Sequence, residues 1–416
     1  MKKLFFIVVE IYAYDTISAA FRLLKYYYLD SILLIIKRKS GMETVMKENQ
    51  NLKTFTMDKL ENIHIYGRTG SQRMPLPLFW TASGVELYVT GTELWMEVEA
   101  DYETHEPWIS IEINGAWIGR QMITAGKKDI CIFRNMDAAA TKRVRIFRDV
   151  QAMSDDASLF LQIHSFQSDG IFKEVPEKSR KIEIIGDSIT SGEGTIGAQE
   201  EQDWISMWFT ALNNYAVITA DRLDADFHIV SQSGWGIVTG WDNNPHSSLP
   251  DYYEQVCGLC KGERNEKAGA KENYDFSSWQ PDSVIINLGT NDAGAFENEE
   301  WTDPQTGLTF KQHKNEDGTY NKEDERRLIE KAKAFLKTIR KHNPNAEILW
   351  AYGMIGTPIL SMLETAIQEF VKETGDAKAR LVVLPQAEGD GIGARCHPGV
   401  INHRQAADIL VKELEK

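Results

Sequence analysis

The stretch IEIIGDSITSGEG, Ile182 to Gly194, decides how this chain is read. An apolar run with the character of a β-strand stops at Gly186, and Asp187 and Ser188 follow at once. Glycine lets a chain turn sharply from strand to helix, which lifts the serine hydroxyl off the strand end and turns neighbouring backbone N–H groups toward the space beside it. Such N–H groups can hold a developing oxyanion. Ser188 is therefore a nucleophile candidate. A tight turn with a helix-capping serine has the same tripeptide, so the rest of the chain has to discriminate. Asp187 reads as a residue that stabilises the turn, with a direct chemical role as the alternative.

Three further features follow strand-like runs. Ser233-Gly234-Trp235-Gly236 follows the run Phe227 to Val230, Gly289-Thr290-Asn291-Asp292 follows Val284 to Leu288, and His397-Pro398 lies beyond Leu381 to Leu384. In an open parallel sheet the carboxyl ends of the strands share one edge, and ligand sites gather there. One cleft can collect all four features. A hydroxyl nucleophile also needs a base that titrates near neutrality, and histidine supplies it most readily. Of the nine histidines, at 64, 105, 164, 228, 246, 313, 342, 397 and 403, only His397 sits between a glycine-rich loop, Gly389 to Gly393, and a helix start at Pro398. His403 falls inside an amphipathic segment, where a solvated or packed helix position is expected, and His228 falls within a strand and reads as structural.

This ordered set resembles the SGNH branch of the GDSL hydrolases, whose signature blocks are a Ser in GDS, a Gly, an Asn in GxND and a late His. The resemblance implies that Ser188 is the nucleophile and His397 the base. It also implies an oxyanion hole formed by the N–H groups of Ser188 and Gly234 with the side-chain amide of Asn291; Asp292 is expected to order the loop presenting Asn291. SGNH enzymes usually carry Asp three residues before the His, and here that position is Ala394. Asp390 or Glu388 can loop back to the imidazole as a third member. Otherwise a backbone carbonyl holds the Nδ1 proton and the pair works as a dyad, the reading favoured here with Asp390 kept as the alternative.

That departure is similar to carbohydrate esterase family 2, acetyl esterases with a β-sandwich ahead of the hydrolase domain. The resemblance covers about residues 60–416 and includes Gly67-Arg68, Ser233-Gly234-Trp235-Gly236 and Trp350-Ala351-Tyr352-Gly353-Met354. The family tends to carry an aromatic residue before the His, where this chain has Cys396.

Length and pattern agree with two domains, since 416 residues with 42% hydrophobic content exceed one ordinary core. From Leu76 to His164 the chain alternates as strands do, at Val85–Val89, Leu94–Val98, Trp108–Ile113, Val144–Phe147 and Leu159–Ile163, with Asn114-Gly115 as a tight-turn signal. This predicts an all-β, jelly-roll-like sandwich over 60–175. After a charged boundary near Phe172 to Lys181, strands alternate with helical segments at 203–223, 323–341, 359–374 and 399–416, predicting an α/β three-layer hydrolase domain with a parallel sheet over 176–416. Residues 1–59 read as an N-terminal extension. Its first 41 residues hold two apolar stretches, Leu4 to Val9 and Tyr26 to Ile36, each too short to span a bilayer. A membrane-surface segment, a poorly ordered extension and an upstream start codon ahead of Met42 or Met46 are the three readings of them.

The charge balance, 46 basic against 61 acidic residues for a net −15, disfavours nucleic acid and anionic membranes as partners and suits a neutral substrate. Of the four cysteines, only Cys257 and Cys260 are close in sequence, without the spacing of a zinc site, so neither a metal nor a cofactor is expected. Sparse cysteine and the lack of a convincing signal peptide point to the cytoplasm, with secretion as the alternative. Trp235 and Trp241 stand near the implied oxyanion glycine, where an indole can stack on a sugar; packing residues are the competing reading. Together with the resemblance, this predicts a serine esterase that removes O-acetyl groups from carbohydrates derived from xylan, mannan or another hemicellulose. The alternatives are a lipase- or thioesterase-like acyl hydrolase and a non-catalytic carbohydrate-binding protein.

Overall fold

A strand that is apolar on both faces needs cover from both sides, and the run around Ile182–Ile185 has that pattern, with Glu183 the exception. In the computed structural model, which describes residues 51–416, this run lies in the strand Arg180–Gly186 of a five-stranded parallel sheet. Across the sheet the order is Ala225–Ser231, Arg180–Gly186, Ser283–Asn287, Glu347–Tyr352, Ala379–Val383. The chain starts in the second position, steps out to the edge, then crosses back to build the other side. The switch lies between Arg180–Gly186 and Ser283–Asn287, and in such sheets the crevice beyond the carboxyl ends at this point is where ligands bind.

Successive side chains of these strands enter opposite cores, as a period of two requires. Ile185, Ile286, Ile348 and Trp350 pack with Phe335 and Leu336 of the helix Lys322–His342 and with Leu363 and Phe370 of Leu360–Thr374. Ile184, Ile285, Leu349 and Ala351 pack on the other face with Val217 of Tyr215–Arg222 and with Ala406 and Leu410 of Val400–Leu414. Three of the four helical segments match the sequence expectation to within a residue or two. The fourth, expected over 203–223, starts only at Tyr215, because Asn214 caps it by accepting from the Ala216 N–H. The chain from 203 to 213 instead runs as loop with a short 3₁₀ turn, Ser206–Trp208, tied back by the Thr210 N–H donating to the Gly192 carbonyl at 3.2 Å.

Residues 53–173 form two antiparallel sheets face to face. One contains Lys53–Thr56, Phe160–Ser168, Leu94–Asp101 and Gly126–Phe133, and the other Phe172–Lys173, Gly84–Val89, Lys142–Arg148, Trp108–Ile113 and Ala116–Met122. Alternate residues such as Val85, Leu87, Met96, Val98, Ile111, Ile146 and Ile163 fill the space between them. Asn114 and Gly115 both have positive φ, 53° and 82°, and close the hairpin whose strands meet at Ile113 and Ala116. The strand Ala116–Met122 had no clear sequence signal, since it is an edge strand with polar or small residues along most of its length.

The outer face of the second sheet packs on the hydrolase. Tyr66 stacks on Phe227 at 4.7 Å, and Arg145 bridges Glu112 of its own sheet and Asp221 on the helix Tyr215–Arg222. Arg68 is fully buried against Glu183, with its guanidinium donating to Oε1 at 2.8 Å. A buried charge is tolerable only when paired in this way. Residues 53–416 form one compact unit. The expectations for residues 1–41 lie outside the described residues, and the expected boundary at residue 60 shifts, because Lys53–Thr56, expected in the N-terminal extension, pairs with Phe160–Ser168 as a strand of the sandwich.

Candidate active site

Gly186 ends the strand because nothing larger fits: a Cβ there would lie 2.0 Å from Thr190 Oγ1. Asp187 then caps the short helix Ser188–Ser191, its Oδ1 accepting from the Ile189 N–H at 3.0 Å. This is the turn-stabilising role expected of it. Its other oxygen is buried without a hydrogen-bond partner, and burial, reinforced by the charges of Asp292 and Glu193, pushes the carboxyl up to about 7. Ser188 sits at the first position of the helix, 5% exposed, at the floor of a cavity of about 590 Å³.

His397 reaches Ser188 from across the site, with Nε2 at 2.9 Å from Oγ. Its Nδ1 lies 3.0 Å from the carbonyl oxygen of Arg395. A carbonyl only accepts, so Nδ1 carries the ring proton and Nε2 is free to accept from the serine hydroxyl. This is the arrangement that general-base activation of a hydroxyl needs. The imidazole is presented by a tight loop in which Arg395 and Cys396 both take left-handed conformations, φ 55° and 57°. Backbone bonds hold that loop: the Ala394 N–H donates to the Gly194 carbonyl at 2.9 Å, the Arg395 N–H to the Glu201 carbonyl at 2.8 Å, and the Gly393 N–H to the His397 carbonyl at 2.7 Å. Asp390 is exposed on the turn Gly389–Gly391 and is not brought to the imidazole, whose Nδ1 is already occupied by a carbonyl. Glu388, just before that turn, is likewise exposed.

Gly234 has φ 79° and lines the cavity. Its loop is pinned on both sides, with the Ser233 N–H donating to Gln151 Oε1 at 2.7 Å and the Trp241 N–H to the Gly234 carbonyl at 3.0 Å. Asn291 Nδ2 donates to the Trp235 carbonyl at 2.8 Å, which fixes the amide and leaves its second N–H for the cavity. The carboxylate of Asp292, expected to order the loop presenting Asn291, accepts from the N–H groups of Ile237 and Val238 at 2.7 Å each and so ties that segment to the loop after Gly234. Burial pushes it up to about 6 against those hydrogen bonds.

Ser188, Gly234, Trp235, Trp241, Asn291 and His397 all line this one cavity. Trp235 is 8% exposed and packs on Tyr252, whereas Trp241 is 54% exposed at the rim. His403 and His228 take the structural places expected of them. His403 is buried with the Tyr215 N–H donating to Nδ1 and Thr195 Oγ1 at Nε2; His228 stacks on Trp279 at 3.8 Å; and burial pushes both down to about 3. Sequence reasoning missed the opposite wall. His105, Gln151, Met153 and Asp155 come from loops of the β-sandwich, and Glu193 and Trp204 from the chain after Ser188. None carries a sequence signal for this position except Glu193, which stands five residues after the serine. Among the described residues, no group of three or more His, Cys, Asp or Glu side chains is placed to hold a metal ion.

The model of the GDSL-like Lipase/Acylhydrolase family matches residues 184–387. The chain is 25% identical over 341 residues to the cellulase/esterase CelE of Acetivibrio thermocellus, covering 81% of this chain and 37% of that protein. It is 33% identical over 114 residues to an acetylxylan esterase/glucomannan deacetylase of Cellvibrio japonicus, covering 27% of this chain and 29% of the relative. The chain therefore matches only about a third of the length of these curated relatives. Among solved structures, the acetyl xylan esterase Est2A of the rumen bacterium Butyrivibrio proteoclasticus superposes with a TM-score of 0.86 at 47% identity, over 88% of this chain and 98% of that one. A family two carbohydrate esterase from Clostridium thermocellum in complex with cellohexaose superposes with a TM-score of 0.70 at 24% identity, over 85% and 98%, a likeness of fold.

Proposed function

The chain belongs to the GDSL-like lipase/acylhydrolase family, and from that premise we propose that it is a serine esterase that removes O-acetyl groups from acetylated carbohydrates. The observation that carries the reading is the Ser188–His397 hydrogen bond of 2.9 Å inside a cleft that also holds Gly234 and Asn291. The likeness to Est2A, an acetyl xylan esterase, supports the ester and the sugar. The cavity wall supports a polar substrate, for it carries His105, Gln151, Asp155 and Arg395 beside three indoles rather than a continuous apolar channel.

Ser188 Oγ attacks the acetyl carbonyl carbon as its proton passes to His397 Nε2. The carbonyl oxygen becomes an oxyanion, held by the N–H groups of Ser188 and Gly234 and by the free amide hydrogen of Asn291. As the tetrahedral adduct collapses, the imidazolium protonates the departing sugar oxygen, and the acetyl group stays on Ser188. Water, deprotonated by the same imidazole, then releases acetate and restores the serine. In this reading Trp241 stacks on the sugar at the rim. For residues 60–175 we propose a jelly-roll-like chain path whose loops wall the substrate cleft, supported by Gln151 and Asp155 on that wall. The neutral sugar suits a chain of net charge −15, and hemicellulose-derived oligosaccharides of xylan or mannan type are the substrates put forward.

The test is acetate release from acetylated xylo- and manno-oligosaccharides by the wild type and by Ser188→Ala, with a long-chain aryl ester alongside. Release by the wild type and a loss of about 10⁴-fold or more in the variant is the expected result. Cleavage of the long-chain ester without acetate from any sugar would overturn the carbohydrate assignment.

A further inference from the structure

The Ser188–His397 pair has no carboxylate on Nδ1, yet one stands close on the other side of the ring. Glu193 Oε1 lies 3.7 Å from His397 Nε2, and the side chain is 4% exposed. Its place relative to the nucleophile is set by its own backbone, whose N–H donates to the Ser188 carbonyl at 3.0 Å. The same Oε1 accepts from Arg395 Nε at 3.0 Å, and Arg395 is the residue whose carbonyl holds Nδ1. One carboxylate thus stands beside the ring nitrogen that takes the serine proton and is bonded to the residue whose carbonyl orients the ring.

We propose that Glu193 is a positioning residue for His397: its charge stabilises the imidazolium formed as the serine proton reaches Nε2, and its bond to Arg395 keeps that residue's carbonyl on Nδ1. The proposal rests on the serine-esterase reading above. In acyl transfer the ring gains a positive charge at the moment Nε2 is protonated, and a carboxylate within 4 Å then attracts it strongly if water is excluded. Arg395 opposes this, but its side chain is 34% exposed against 4% for Glu193, so solvent screens the guanidinium more than the carboxylate. The other charged groups around the ring weigh less. His403 lies buried behind it and is held neutral, Asp187 beneath Ser188 is pushed up to about 7 by burial, and Asp155 and His105 face it from the sandwich wall across the open cavity.

The test is the pH profile of kcat/KM on an aryl acetate for the wild type, Glu193→Gln, Glu193→Asp and Arg395→Met. Glu193→Gln should lower kcat about tenfold with KM within about twofold, and should move the acid limb to lower pH, because the imidazolium loses its counter-charge. Arg395→Met leaves the carboxylate uncompensated and should move the acid limb to higher pH. Glu193→Asp keeps the charge and should recover part of kcat. An acid limb that stays in place in Glu193→Gln, or that shifts the same way in the Gln and Met variants, would overturn the proposal and leave Glu193 a structural residue. An inactive wild type would overturn the esterase reading as well, so the two failures are distinguishable.

Discussion

The carbonyl oxygen of Arg395 accepts the Nδ1 proton of His397 at 3.0 Å, two residues along the chain. The bond exists because Arg395 and Cys396 are both left-handed, which curls the backbone under the ring at a cost on the order of 1–3 kcal/mol per residue. Such a carbonyl fixes the tautomer without any acid. Asp390→Ala is accordingly expected to retain kcat/KM to within about twofold, since the side chain is exposed and clear of the imidazole. A loss beyond tenfold would mean that Asp390 reaches the ring during turnover.

Gly194 joins the nucleophile segment to the histidine loop. Its φ is 70°, and a Cβ there would lie 2.3 Å from the Ala394 carbonyl oxygen and 2.8 Å from His397 Cβ. Gly194→Ala should therefore push the loop away from Ser188, reducing kcat about tenfold or more and destabilising the protein by about 1–3 kcal/mol. Gly389→Ala is the control, because Gly389 also has a positive φ but an added Cβ meets nothing within 4 Å. Equal loss of activity in both, measured beside Tm, would show that backbone strain rather than the clash is responsible.

Trp241 and Trp235 should separate cleanly. Trp241→Ala removes an exposed ring, so KM for an acetylated oligosaccharide should rise about fivefold, equivalent to roughly 1 kcal/mol of stacking, with kcat on a small aryl acetate and Tm nearly unchanged. Trp235→Ala removes a buried ring packed on Tyr252 and should cost about 3–5 kcal/mol of stability, read as a lower denaturation midpoint. If Trp241→Ala leaves KM for the sugar unaltered, the ring does not contact substrate.

Asp187 makes stability depend on pH in an unusual direction. Burial raises its carboxyl from about 4 in the unfolded chain to about 7, so the folded state binds the extra proton over that range. Its contribution is present below about pH 4 and is lost as the pH rises through about 7, amounting to a few kcal/mol by order of magnitude. Asp187→Asn keeps an oxygen for the Ile189 N–H and cannot ionise. The variant should gain stability relative to the wild type as the pH is raised from 4 to 8, followed by urea midpoints. A difference that is constant with pH would show that the carboxyl is not held protonated.

The motifs legible in the chain were those whose geometry is local. Gly186-Asp187-Ser188, Gly234, Asn291 and His397 each follow a strand end, and a strand that stops at a glycine already dictates where the next side chain points; the helices at 322–342, 360–374 and 400–414 were legible for the same reason, as was the Asn114-Gly115 turn. The start of the helix at Tyr215 was not, because the expectation ran through the Asn214 cap. What only the tertiary structure decided is who faces whom. Gln151 and Asp155 join the wall of Ser188 because the sandwich packs on the strand Ala225–Ser231, and the Arg395 carbonyl replaces an acid at Nδ1 because the loop before His397 is bent by bonds to residues 194 and 201. Glu193 is five residues from the serine in sequence, but its meeting with His397 depends on two segments more than 200 residues apart, whose approach is set by long-range packing rather than by any neighbour along the chain.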